Sequence, residues 1–161
     1  MSTEIRRIDD ATDARSDGAP STGGLLVSPE ARFVFVGERR SATAIARGLR
    51  WEDGRLAART LHDALRALGV DPGAHRFLNL FRDDTPGVID PTALAQLRAL
   101  AREGWVIVGL GRIVQAALVR EGVKHRPMVH PAARGVIRTR AYYQAHVARI
   151  LSQDLAEDTR G

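Results

Sequence analysis

The sequence predicts an α/β fold, a three-layer α/β/α sandwich around a mostly parallel four-stranded sheet. Four short apolar runs alternate with amphipathic helical segments, and short turns join them, so successive strands are linked by the crossover helices that parallel pairing requires. The chain of 161 residues, 44% hydrophobic and 27% charged, has the composition of one ordinary globular domain.

Positions 1–30 are rich in Ser, Thr, Asp, Gly and Pro without an apolar period, which predicts a disordered or loosely attached leader. The first core strand is read at Arg32 to Val36, where Phe-Val-Phe-Val runs up to Gly37. Between Gly54 and Leu68, apolar residues at Leu56, Ala57, Leu61, Ala64, Leu65 and Leu68 keep helical spacing, and Gly69 supplies the stop. Phe77 to Phe81 is the second strand. A loop with Asp83, Asp84, Pro86 and Gly87 leads to a helix from Pro91 to about Glu103, with proline at its first turn. Trp105 to Val108 is the third strand and Arg112 to Glu121 a helix ended by Gly122. Arg126 to Val129 is the fourth strand, followed by a helix from about Arg138 to Leu155. The domain spans 31–155, and 156–161 form a tail.

Without cysteine, disulfides, thiolate zinc sites, iron-sulfur ligation and cysteine nucleophiles are excluded. His125 and His130 bracket the fourth strand, and His62 and His146 fall on helices, a spacing that matches no zinc pattern; no metal and no cofactor are expected. Gly109 and Gly111 lack the third glycine and the later acid of a dinucleotide fingerprint. No apolar run is long enough to span a bilayer, and the expected setting is cytoplasmic, with no membrane partner and a monomeric state.

The net charge is +5, but positions 1–30 hold three arginines against six acids, leaving the remainder at +8. Between Arg112 and Arg149 lie eight basic residues (Arg112, Arg120, Lys124, Arg126, Arg134, Arg138, Arg140 and Arg149) and one acid, Glu121. Such a segment suits a phosphate backbone, because neutralising phosphates releases counterions whatever the base sequence. Contact with nucleic acid is therefore expected.

Sites in parallel sheets gather at the carboxyl ends of strands. The residues predicted there are Gly37 and Glu38, Asn79 and Asp83, Gly109 and Gly111, and His130. The segment Val129 to Gly135, Val-His-Pro-Ala-Ala-Arg-Gly, sets an imidazole, a rigid turn and a cation directly after a strand. Arg134 and Gly135 suit an approaching anion.

Taken in order, these motifs resemble the uracil-DNA glycosylase superfamily from about Phe33 to Leu151. Val36-Gly37-Glu38 is similar to the opening of the superfamily's first motif, Gly54-Arg55 and the helix with Leu61 to the Gly-Arg-Ala-Gly helix of its iron-sulfur branches, and Phe77-Leu78-Asn79 to the strand that ends in a base-reading asparagine. Gly109-Leu110-Gly111 is similar to the strand-to-helix turn before the last motif, and His130-Pro131-Ala132 to the His-Pro motif itself. The resemblance implies a monofunctional hydrolase that turns a nucleotide out of the stack and cleaves the N-glycosidic bond of uracil or a related damaged base.

In that reading Asn79, with Gly37 and Phe81, binds the base, the carboxamide meeting an imide edge with both donors and acceptors. His130 stabilises charge on the departing base. Glu38 or Asp83 handles water, while Arg134, Arg138, Gly111 and Arg112 hold phosphates beside the His-Pro loop. The chain departs from the family where an aspartate is usual: Arg39 stands there, and Arg40-Ser41 follows in place of Pro-Tyr or Pro-Gly. That departure keeps a second reading open, a non-catalytic module of the same fold that binds nucleic acid, a base or a nucleotide.

Overall fold

A computed structural model describes residues 27–28, 30–135 and 139–152. The predicted leader, apart from its last positions, the tail and Arg138 lie outside the described residues. The strands are β1 (Phe33–Gly37), β2 (Arg76–Asn79), β3 (Val106–Leu110) and β4 (Arg126–Met128). They form one sheet, all parallel, in the order β2-β1-β3-β4. The helices are α1 (Ala42–Ala46), α2 (Ala57–Ala67), α3 (Pro91–Arg102), α4 (Arg112–Arg120) and α5 (Arg140–Leu151).

Alternation along β1 divides the core in two. Phe33 and Phe35 face α2 and α5, where they join Leu61, Leu65, Tyr143, Val147 and Ile150. Val34 and Val36 face α3 and α4, where they join Leu97, Leu100, Val114 and Leu118. Successive side chains of a strand point to opposite faces, so a central strand covered on both sides must read as a continuous apolar run, as β1 does. All five of its residues are buried. The result is the three-layer α/β/α sandwich.

Helix ends follow local chemistry. Asp90 caps α3 by accepting from the Thr92 N–H at 3.0 Å, and Pro91 occupies the first helical position. Arg126, counted above in the basic segment, is instead 3% exposed: its Nη1 donates to the carbonyls of Ile150 at 2.8 Å and Leu151 at 3.3 Å. It satisfies the last turn of α5 and is withdrawn from any phosphate. Among the described residues, no helix is long and apolar enough to cross a membrane.

The elements missed by periodicity are α1 and two 3-10 turns, Trp51–Asp53 and Pro72–Ala74. Each is too short to show a repeat. The first of them proves central to the site.

Candidate active site at the carboxyl edge of the sheet

Strand order sets the site. From β1 the chain moves outward to β2, then returns across the sheet to β3 and on to β4, so direction reverses between β1 and β3. Crevices outside the carboxyl ends of strands open at such reversals. Here parallel register aligns Gly37 with Asn79, and the Leu80 and Phe81 N–H groups donate to the carbonyls of Gly37 and Glu38 at 2.9 Å each. Thus β1 and β2 end together.

His130 is fixed from several sides. The Gln115 amide donates to the carbonyls of Gly109 and Met128 at 3.0 Å, tying β3 to β4. The Tyr143 hydroxyl donates to the Val129 carbonyl at 3.1 Å, and the Val129 N–H donates to His146 Nε2 at 3.0 Å. Gly111, with φ +88°, passes so close that a Cβ there would lie 3.3 Å from that of His130. The Ala132 N–H then donates to His130 Nδ1 at 3.0 Å. An imidazole that accepts at Nδ1 carries its proton at Nε2 when neutral.

Burial holds His130 below the ordinary imidazole value, outweighing the nearby charge of Glu38, which favours the protonated form. At neutral pH the ring is therefore a neutral Nε2–H donor. Burial also lowers His62, helped by Arg66, and His146, helped by Arg149. These two serve the scaffold: His62 stacks on Phe77 at 4.9 Å beneath Gly54, and His146 anchors Val129.

Trp51 completes the site, and it was not among the residues singled out from the sequence. Its Nε1–H donates to Asn79 Oδ1 at 2.6 Å, and its ring meets His130 edge-on with centroids 6.2 Å apart. The indole lies so flat on Gly37 that a Cβ there would come within 2.6 Å of Cζ2 and 2.7 Å of Nε1. Gly37 is thus required by close approach, since its φ is not in the left-handed region. The turn carrying Trp51 closes on Gly54 in the left-handed conformation, with the Arg50 N–H held by Asp53 at 2.7 Å. An aromatic three residues before Gly54-Arg55, in an otherwise polar turn, was the available signal.

The other predicted site residues divide. Glu38 is half-buried beside His130. Asp83 is engaged elsewhere: its carboxylate accepts from Arg40 Nη2 at 2.8 Å and Nε at 3.0 Å, and its carbonyl from Arg39 at 3.2 Å. The Phe81 ring is not free to stack on a ligand: it is 5% exposed within the core under α3 and α4, and the residue is bridged to Ile89. The chain passes the end of β2 before Phe81, and its ring turns to the apolar layer.

Arg112 and Arg134 are exposed, and Gly111 and Arg112 line a hollow of about 510 Å³ behind His130. A cleft of about 220 Å³ opens on the other side of His130, along Trp51. Compared with known proteins, the chain matches no protein-family model and no curated protein.

Proposed function

We propose that the chain recognises a nucleobase in DNA at this edge and acts as a uracil-DNA glycosylase-like hydrolase, with Asn79 reading the base and His130 assisting its departure. The observation that carries the reading is the fixed tautomer of His130. A neutral Nε2–H donor, its Nδ1 held by the Ala132 N–H and its neighbour Val129 anchored to His146, suits an oxygen that gains negative charge as a glycosidic bond breaks. Its spacing from Asn79 is bridged by one indole, a planar group broader than a pyrimidine.

In this account Trp51 holds the place of the base in the unliganded protein. Its N–H engages Asn79 Oδ1 as the N3–H of uracil would, so entry of a base requires the indole to yield. Glu38 is the carboxylate for water, because Asp83 is committed to Arg40. Arg112 and Arg134 supply exposed charge for the strand.

The engagement of Asn79 by Trp51 also supports a second reading, a binder without chemistry. The two separate cleanly. Incubation with uracil-containing single- and double-stranded DNA, followed by alkali, is expected to give strand breaks with the wild type and none with Asn79→Ala. Salt-sensitive binding without breaks, on uracil and other lesions alike, would leave the binding module.

A further inference from the structure

The cleft on the outer side of Trp51 has a composition of its own. Arg39, Arg40, Arg50 and Arg55 line it together with His130, no acidic residue does among the described residues, and Leu49 and Leu56 give it an apolar floor. Among the described residues, Arg40 alone of these is neutralised, by Asp83. Arg39 is directed by the Asp83 carbonyl, while the side chains of Arg50 and Arg55 make no ion pair among the described residues.

Arg39 and Arg40 are half-buried and Arg50 and Arg55 exposed, and the fork geometry of guanidinium groups gathered around an apolar cleft fits phosphate oxygens. One wall is the indole, a stacking surface for a planar ring. Leu56 adds a second mark of a built site. It holds φ 58° and ψ −133°, a conformation costly for a branched side chain, and lies 40% exposed over the cleft. Arg39, which stands where the resembling family usually has an aspartate, lines this cleft.

We propose that this cleft, which His130 lines and Asn79 does not, binds the phosphate of a nucleotide, with its base against the outer face of Trp51, as a subsite beside the base contact assigned to Asn79. The volume of about 220 Å³ suits one nucleotide unit open to solvent on one side. That unit is either a free mononucleotide or one residue of a single strand. The inference does not require base release and stands if the protein proves non-catalytic.

Titration calorimetry with uridine 5′-monophosphate, uridine, inorganic phosphate and a short oligothymidylate tests it. The probes are applied to the wild type and to the Arg50→Glu/Arg55→Glu variant. At least one phosphate-bearing nucleotide probe is expected to bind the wild type tenfold or more tightly than uridine or phosphate alone. The double arginine variant is expected to lose that binding tenfold or more with its melting temperature maintained. Binding of the oligomer but not the mononucleotide would identify the strand as the source. Equal binding of phosphate and nucleotide, indifference to the arginine reversals, or absence of binding to both nucleotide probes would overturn the proposal.

Nucleotide binding with no base release by the wild type would refute the glycosylase reading and leave this subsite standing. Intact base release with no nucleotide binding would refute this subsite alone.

Discussion

In His130→Ala, release of uracil from DNA is expected to fall about 10²- to 10³-fold, the usual effect of deleting one preorganised donor at a developing negative charge. The side chain is half-buried at the end of β4, and the backbone around it is held by Gly111, Gln115 and Tyr143 independently of the ring. Strand binding is therefore expected to change little, so the loss is in turnover and not in affinity. A pH profile distinguishes the neutral donor from an imidazolium. Burial depresses the folded value below 6.5, so the working neutral form prevails at and above 6.5 and disappears as pH falls through the depressed value. Wild-type activity is expected to hold from pH 6.5 upward until other groups titrate, and to decline on the acid side. Activity that rises as pH drops below 6.5 would mean that a charged ring does the work.

Gly37→Ala is expected to lower stability by about 1–3 kcal/mol, the range for forcing an extra methyl into a packed site. The new Cβ would meet Trp51 Cζ2 at 2.6 Å and Asn79 Oδ1 at 2.8 Å. Gly37 is locked in β1, so the indole is the part that moves, and the hydrogen bond from Trp51 to Asn79 breaks with it. Denaturant unfolding gives the first quantity, and Trp51 fluorescence, compared with a Trp51→Phe control, gives the second. An alanine variant as stable as the wild type, with unaltered Trp51 emission, would contradict this packing.

The centre of the sheet was legible because β1 and β3 are buried on both faces and carry apolar runs, as in Phe33 to Val36, while the edge strands β2 and β4 are shorter and partly exposed. The long helices were legible from their period, and α3 from Asp90 and Pro91 as well. Boundaries moved by one to three residues where a side chain at the end of an element answers to tertiary contacts, as at Phe81.

The site was legible only in part. Gly37, Asn79 and His130 end apolar strands, which sequence marks, and the parallel register brings the first two together. Trp51 sits in a 3-10 turn of three residues, and no periodicity announces such a turn. The pairing of Asp83 with Arg40 joins residues 43 positions apart, and Arg126 looks like a surface cation until α5 packs over it. Both are products of the assembled fold.

The central claim is that Asn79 exchanges the Trp51 indole for a nucleobase. The direct measurement is the indole N–H resonance of Trp51 in the wild type, followed as a single strand is added whose uracil carries a cleavage-resistant 2′-fluorinated sugar. Trp105, which packs against Arg32 at 4.7 Å away from the site, serves as the internal reference. The Trp51 resonance is expected to shift with the uracil strand, and much less with the same strand carrying an abasic position, while Trp105 stays in place. A strand that binds while leaving the Trp51 resonance unchanged would contradict the account.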